Sequence, residues 1–303
     1  MSTRPDTAPA RAAESGPYRY VLVPLDRSAD SAVALRSGHA LAARFGATVH
    51  TVGVAGAADD RADLASVAVA ALGVAPGDAR VHTAAGDDVA SAIATLADDL
   101  GDCLVCMSSG VHGRVAGALL GSTARELLHL RQRPVVLVGP LADRPAFMED
   151  SWPTPLGVDR LVVCVDDAPE GSAPSTAAAT VEVAARWASA LAMSLTVLHV
   201  VTPTVSLSGE AHGGERAPWL VRLAEQARMH VAHVDVRVEN DPIGVADGVR
   251  THLVAHPAGL LAVSTHARSG LDRVVHGAAG ASIVAASTIA TLVIATVAPD
   301  ARP

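Results

Sequence analysis

The chain has 303 residues and a formal net charge of −8, with apolar residues at 50% of its positions but aromatic ones at only 2%. This apolar content excludes a disordered chain, and the length is sufficient for two domains. The acidic balance, without any run of Lys or Arg, argues against binding to nucleic acid. Cores that must be filled by Val, Leu and Ala favour an α/β fold in which helices bury a parallel sheet on both faces.

The beginning of the chain carries charges and prolines but no apolar signal core, so residues 1–17 are predicted to be a flexible tail. No apolar stretch reaches the length of a membrane span without interruption, which predicts a cytoplasmic protein without membrane partners. Cys103 and Cys106 form a C-x-x-C within a predicted strand, where residues three apart point to opposite faces. The two thiols are therefore not expected to pair or to share a metal.

The first regular element is an apolar run that ends in an acid, with the sequence YVLVPLD over residues 20–26. Residues then recur at helical spacing until Gly46, a helix stop, after which residues 48–54 form the next apolar run. The helical positions are Ala34, Gly38, Leu41 and Phe45. This order predicts a strand, a helix and a second strand. Two further strands are predicted at residues 103–107 and 134–138.

The same pattern starts again at residues 160–166, which read RLVVCVD. The helical positions of this copy are Val183, Trp187 and Leu191. Apolar runs follow at residues 195–201, 260–263 and 290–294, in the order found in the first copy. The chain is therefore predicted to contain one strand-and-helix unit twice.

This repeat predicts two tandem domains, the first over residues 18–139 and the second over residues 158–297. Residues 140–157, which are rich in proline, form the predicted linker, and residues 298–303 form a tail. Strands that alternate with helices form parallel sheets through right-handed crossovers. Ligands of such sheets bind at the carboxyl ends of the strands.

Asp26 and Asp166 each follow a predicted strand at such an end. A carboxylate there can accept hydrogen bonds from a nucleotide or hold metal-bound water. It can equally be the N-cap of the helix that follows, since both roles use the same position. The sequence leaves the two roles open.

The segment after the fourth strand of each copy resembles the phosphate loop of the universal stress protein family, G-x2-G-x9-G-[ST]. Gly121 and Ser122 match its end, where glycine permits close approach of a phosphate and the helix start attracts anions. Serine and valine stand at the first two glycine positions, in the segment SSGVHG over residues 108–113, which supplies a glycine pair two residues later. Either the loop shifts to use that pair or the site is altered.

The second copy retains Gly277 at the spacing of the loop, but Ser264, Ala267 and Ala278 replace two glycines and the hydroxyl residue. Its phosphate site is therefore expected to bind more weakly than the site of the N-terminal copy.

The resemblance implies two tandem open parallel five-stranded sheets flanked by helices, an adenine-nucleotide alpha-hydrolase-like or Rossmann-like fold. It implies that the last strands of the two domains pair within the chain, through residues 135–138 and 291–294, and it allows a homodimer. ATP, with Mg²⁺, is the implied ligand. The implied ligand contacts are Val23, Pro24, Asp26, Val54, Ser108, Gly110, His112, Gly113, Gly121, Ser122, Thr123, Asp166 and Gly277.

Other chemistry has little support in the sequence. None of the 13 histidines forms a zinc-protease pair with a carboxylate, and His230 with His233 is an isolated pair, so no metal site is predicted. Without a Walker motif or a serine-hydrolase elbow, at most slow ATP hydrolysis is expected. Two functions stay open. One is a stress-associated sensor or regulator that binds ATP or a related nucleotide, and the other is an interaction scaffold with vestigial pockets.

Overall fold

The computed structural model describes residues 16–26, 28–54, 80–84, 88–110, 120–131, 133–142, 159–165, 175–202, 218–267 and 278–297. Within them lie ten strands and seven helices. The strands are β1 (Tyr20–Pro24), β2 (Thr48–Val54), β3 (Arg80–Ala84), β4 (Cys103–Ser108), β5 (Val135–Val138), β6 (Arg160–Val165), β7 (Ser194–Val201), β8 (Val234–Asn240), β9 (Leu260–Ala267) and β10 (Thr291–Val297). The helices are α1 (Ala29–Phe45), α2 (Val89–Leu100), α3 (Ser122–Leu130), α4 (Ser175–Ala190), α5 (Pro218–Ala227), α6 (Val245–Ala255) and α7 (Ala278–Ala286).

The ten strands form one sheet in the order β3-β2-β1-β4-β5-β10-β9-β6-β7-β8. Neighbouring strands are parallel throughout, except that β5 and β10 are antiparallel. The first five strands in the chain and the last five have the same internal order, and the two sets do not intermix. The α/β fold with parallel sheets that the sequence predicts is confirmed.

Helices cover the sheet on both faces. Residues of the central strands alternate between two cores: Val21 and Cys106 lie in one, Leu22 and Cys103 in the other. Helices α1, α4 and α5 contribute to the first core, and α2, α3, α6 and α7 to the second. Because the central strands are buried on both sides, they are apolar at nearly every position, which makes them visible in the sequence.

The two halves of the sheet meet where β5 pairs with β10, with Leu292 opposite Val136. On the face covered by α1 and α4, aromatic rings from both halves pack together. Trp187 of the second half contacts Tyr18 and Phe45 of the first, with ring centroids 5.4 and 5.3 Å apart. Aromatic residues are rare in this chain, so their concentration at this junction marks it as a main contact between the halves.

Arg44 in α1 provides a polar link across the same junction. Its guanidinium donates hydrogen bonds to the carboxylate of Asp159, at 2.8 Å, and to the carbonyl oxygen of Leu191. Burial lowers the pKa of Arg44, and the hydrogen bond with Asp159 opposes that effect. Burial likewise raises the pKa of Tyr18 to about 12. The junction therefore contains a partly desolvated ion pair beside an apolar cluster.

Most of the predicted N-terminal tail and linker, and the whole of the predicted tail at residues 298–303, lie outside the described residues. The domain boundaries that the sequence suggests therefore stay predictions. Across the described parts of the chain, none of the helices combines the length and the apolar content that a membrane crossing requires.

Gly139, directly after β5, packs against the backbone of α7 in the other half. A β-carbon at this position would lie 2.3 Å from the carbonyl oxygen of Val284. We expect G139A to lower the free energy of unfolding by about 1–3 kcal/mol, because β5 or α7 must move to relieve the overlap. Urea unfolding followed by circular dichroism measures the change.

The matched control is G244A. A β-carbon on Gly244 has no atom within 4 Å, and the φ of 164° is extended backbone that any residue adopts. Only the N-cap preference of α6 is affected, so the expected loss is below about 1 kcal/mol. Equal losses in the two variants would show that the contact between Gly139 and Val284 does not hold the halves together.

Candidate functional site

A cavity of about 440 Å³ lies in the first half of the sheet, at the carboxyl ends of β1 and β4. The strand order changes direction between these two strands, because β2 follows β1 on one side and β4 lies on the other. Open parallel sheets bind ligands at such a switch point, where the loops after the two strands diverge. The described lining residues are Pro24, Leu25, Asp26, Ser31, Val52, Val89, Ile93, Met107, Ser108, Gly110, Gly121, Ser122, Thr123 and Ala124.

Asp26 lies at the cavity with its side chain exposed. Its carboxylate accepts hydrogen bonds from the backbone N–H of Ser28, at 2.9 Å, and from the Ser28 hydroxyl. Ser28 is the N-cap of α1, since its Oγ accepts from the N–H of Ser31 at 3.2 Å. Of the two roles that the sequence leaves open for Asp26, the N-cap role therefore belongs to Ser28. Asp26 positions the cap and keeps its carboxylate at the cavity.

Two glycines bring the backbone after β4 against the start of α3. Gly110 has a φ of +69°, in the left-handed region, and a β-carbon on Gly121 would lie 3.0 Å from the Gly110 Cα. The N–H of Gly121 donates to the carbonyl of Ser109 at 2.8 Å, and the N–H of Ser109 donates to the carbonyl of Val138, at the end of β5, at 2.9 Å. The contact requires glycine at both positions, because either side chain would push the two segments apart.

Helix α3 begins at the cavity with Ser122, Thr123 and Ala124. Its N-cap, Gly121, supplies no side-chain hydrogen bond, and the N–H of Arg125 donates to the carbonyl of Gly121 at 3.0 Å. The N–H groups of the first turn precede this first intrahelical hydrogen bond, so the helix itself provides no acceptor for them. They lie at the positive end of the helix dipole. A helix start of this kind binds anions through its backbone, and the hydroxyls of Ser122 and Thr123 add two further donors.

The remaining lining is largely apolar. Leu25, Val52 from β2, Ile93 from α2 and Met107 from β4 are buried, while Val89 is exposed. None of these five contacts was predicted from the sequence. Met107 and Val52 lie in apolar runs that are visible in the sequence, but no sequence pattern placed α2 beside them. A small apolar wall with a few convergent polar groups is typical of small-molecule sites.

Seven of the ligand contacts implied by the resemblance line this cavity: Pro24, Asp26, Ser108, Gly110, Gly121, Ser122 and Thr123. Val23 does not, because its side chain is fully buried in the core beneath α1, where strand alternation directs it. Val54 is also absent from the described lining. Four implied contacts lie outside the described residues and stay predictions: His112, Gly113, Asp166 and Gly277.

Asp26 is the only charged side chain in the described lining. Cys103 and Cys106, on the nearby β4, lie in opposite cores as their spacing predicts. Burial raises the pKa of Cys103 to about 11 and that of Cys106 to about 12, so both thiols are protonated near neutral pH. The arrangement offers N–H donors, hydroxyls and one carboxylate, which are groups suited to binding.

The contact at Gly110 can be tested by adding one methyl group. We expect G110A to lower the free energy of unfolding by about 2–4 kcal/mol, from left-handed backbone strain and from the new β-carbon 3.2 Å from the Gly121 Cα. The control G46A has a similar φ of +65° with no atom within 4 Å. It should lose only the strain, about 1–2 kcal/mol. Equal losses in chemical denaturation would mean that the glycine contact is not tight.

No protein-family model and no curated protein matches the sequence. Solved structures do match, at 17% identity over 92% of this chain. They include a universal stress protein from Archaeoglobus fulgidus DSM 4304, with a TM-score of 0.59 over 98% of that chain. A candidate universal stress protein from Pseudomonas aeruginosa UCBPP-PA14 has a TM-score of 0.58 over 93% of its chain, and a functionally unknown protein from P. aeruginosa PAO1 has 0.60 over 92%. This chain therefore has the fold of the universal stress proteins.

Proposed function

We propose that this protein binds an adenine nucleotide, ATP with Mg²⁺, in the cavity at β1 and β4, and that it acts as a stress-associated sensor or regulator. The contact between Gly110 and Gly121 carries the proposal. Because both residues are glycines, neither of them places a side chain between the start of α3 and the cavity. A phosphate must come close to the backbone to accept hydrogen bonds from its N–H groups, and an intervening side chain would keep it away.

The cavity fits a nucleotide in size and in the distribution of its polar groups. Its volume of about 440 Å³ lies within the range of roughly 300–1,000 Å³ that is typical of small-molecule sites. The start of α3, with the hydroxyls of Ser122 and Thr123, would bind the phosphates. The apolar side chains of Val52, Ile93 and Met107 would receive the base.

The carboxylate of Asp26 would repel a phosphate, since two negative charges repel at short range. Its carboxylate would instead accept hydrogen bonds from the ribose hydroxyls or hold Mg²⁺ through water. Mg²⁺ prefers oxygen ligands from one or two carboxylates together with substrate phosphates. The ion would neutralise phosphate charge that the described lining, without Arg, leaves unbalanced.

Binding without rapid turnover is the expected behaviour. The chain contains no lysine at all, and its cationic side chains are arginines. The lysine that stabilises developing charge in P-loop enzymes is therefore missing from the whole protein. Hydrolysis of bound ATP is expected to be slow or absent, which suits a protein that reports nucleotide levels.

The proposal extends to two domains, at residues 18–139 and 158–297, with the stronger site in the first. The repeated strand order of the two halves supports this division. Helix α3 begins at Ser122 and α7 begins at Ala278, so the second half lacks the hydroxyl at the corresponding helix start. The loss of that donor is expected to weaken the second site.

Calorimetric titration of Mg-ATP into the full chain tests the site. We expect S122A to weaken binding by about 10- to 100-fold, because one hydrogen bond to a charged phosphate contributes about 1.5–3 kcal/mol. G121V should abolish binding at the stronger site, since the valine side chain fills the space at the start of α3. The matched variant in the second half, G277V, should bind like the wild type.

Circular dichroism and urea unfolding show whether each variant is folded before it is titrated. S122A keeps the test valid if G121V fails to fold, because Ser122 is exposed and contributes little to the core. Loss of binding in G277V with full binding in S122A would move the site to the second half. If the wild type binds no Mg-ATP and no nucleotide co-purifies with it, the nucleotide proposal is wrong and the interaction scaffold with vestigial pockets is favoured instead.

A further inference from the structure

A second group of polar side chains lies in the other half of the sheet, where α6 packs against β7 and β8. His252 in α6 and His256, its C-cap, are four residues apart and so share one face of the helix. Their ring centroids are 4.9 Å apart. Glu239 of β8 reaches the pair, and one carboxylate oxygen and one nitrogen of each ring all lie within 4.8 Å of one another.

In the first half of the sheet, the positions that correspond to these two histidines are occupied by apolar residues. Helix α2, which stands between β3 and β4 as α6 stands between β8 and β9, begins at Val89 where α6 begins at Val245. Counted from these starts, His252 and His256 correspond to Leu96 and Leu100. Both leucines pack against the core. The second half therefore has two imidazoles where the fold itself requires only apolar side chains.

His252 is the buried member of the cluster, with its side chain 1% exposed. Its Nδ1 lies 2.9 Å from Oε1 of Glu239, while its Nε2 is buried without a hydrogen-bond partner among the described residues. A carboxylate beside Nδ1 keeps the proton on that nitrogen, which leaves a lone pair on Nε2. Buried polar atoms are rarely left without a partner, so this lone pair points to a ligand that the described residues do not supply.

An imidazole nitrogen with a lone pair, as in the neutral ring, is the form that coordinates metals. A small cavity of about 30 Å³ adjoins both histidines, and it is also lined by Arg160, Thr196, Asp235 and Arg237. One water needs about 10–15 Å³ by the same measure, so an ion with a bound water fits.

We propose that Glu239, His252 and His256 form a binding site for a divalent transition-metal ion such as Zn²⁺. The two histidines are the nitrogen ligands. Glu239 holds the proton on Nδ1 of His252, turns Nε2 towards the ion and compensates its charge, an arrangement that is common behind metal-bound histidines. Water completes the coordination.

The surroundings set the selectivity. Arg160 and Arg237 oppose a cation, while Asp235 and Glu239 attract one, so the local charge does not concentrate cations by itself. Binding then depends on imidazole nitrogen, which suits Zn²⁺, Co²⁺ and Ni²⁺. Mg²⁺ and Ca²⁺ require sets of oxygen ligands and are not expected to compete.

The test is a titration of the full chain with Zn²⁺, and in parallel with Co²⁺, after removal of metals with a chelator. Zn²⁺ binding is measured by calorimetry, and the visible absorption of Co²⁺ reports nitrogen ligation. H256Q should weaken Zn²⁺ binding by at least about 100-fold and remove the Co²⁺ bands. E239Q should weaken it by about 10- to 100-fold, as the loss of an orienting partner does. Zn²⁺ should raise the unfolding temperature of the wild type but not that of H256Q.

H230Q is the matched control, because His230 is an exposed histidine outside the cluster, and it should bind Zn²⁺ like the wild type. None of these substitutions replaces the buried His252, so each variant is expected to fold. The proposal is overturned if the wild type binds no Zn²⁺, if H256Q or E239Q binds as well as the wild type, or if H230Q loses as much affinity as H256Q. An equal response to Mg²⁺ would also overturn it.

Discussion

The antiparallel pairing of β5 with β10 is the interaction on which the arrangement of the described strands depends. All four residues of β5 are buried, and Leu292 opposite Val136 is fully buried as well. Left unpaired, each strand would expose an apolar edge with free N–H and C=O groups, which promotes association with other chains. By pairing them, the chain turns two five-stranded sheets into one sheet of ten strands. The aromatic contacts of Trp187 and the ion pair of Arg44 then close the junction on one face.

The same junction is connected to the cavity through the backbone. The N–H of Ser109 bonds to the last residue of β5, Val138, and the N–H of Gly121 bonds to the carbonyl of Ser109. These two bonds connect the start of α3 to the end of β5, and the close contact between Gly110 and Gly121 requires that neither residue has a side chain. The backbone at one side of the cavity is therefore anchored to the central strands of the sheet.

The two candidate sites differ in their physical origin. The cavity uses features that belong to the fold: strand ends at a switch point, an open helix start and two glycines. The histidine cluster uses side chains that the fold does not need, because the first half has Leu96 and Leu100 at the corresponding positions.

The initial strand, helix and strand of each half, its two later strands, the opposite directions of Cys103 and Cys106, and the helix start at Ser122 could all be predicted from the sequence. Each depends on residues close together in the chain, through apolar periodicity or through a glycine at a turn. The sequence did not reveal β3, α2 or β8, nor Ser28 as the N-cap beside Asp26. The contact between Glu239 and His252 was not predicted either, although the spacing of His252 and His256 on one helix was a visible signal. Only the tertiary structure decided these, because strand neighbours and contacts between different elements depend on packing between residues far apart in the chain.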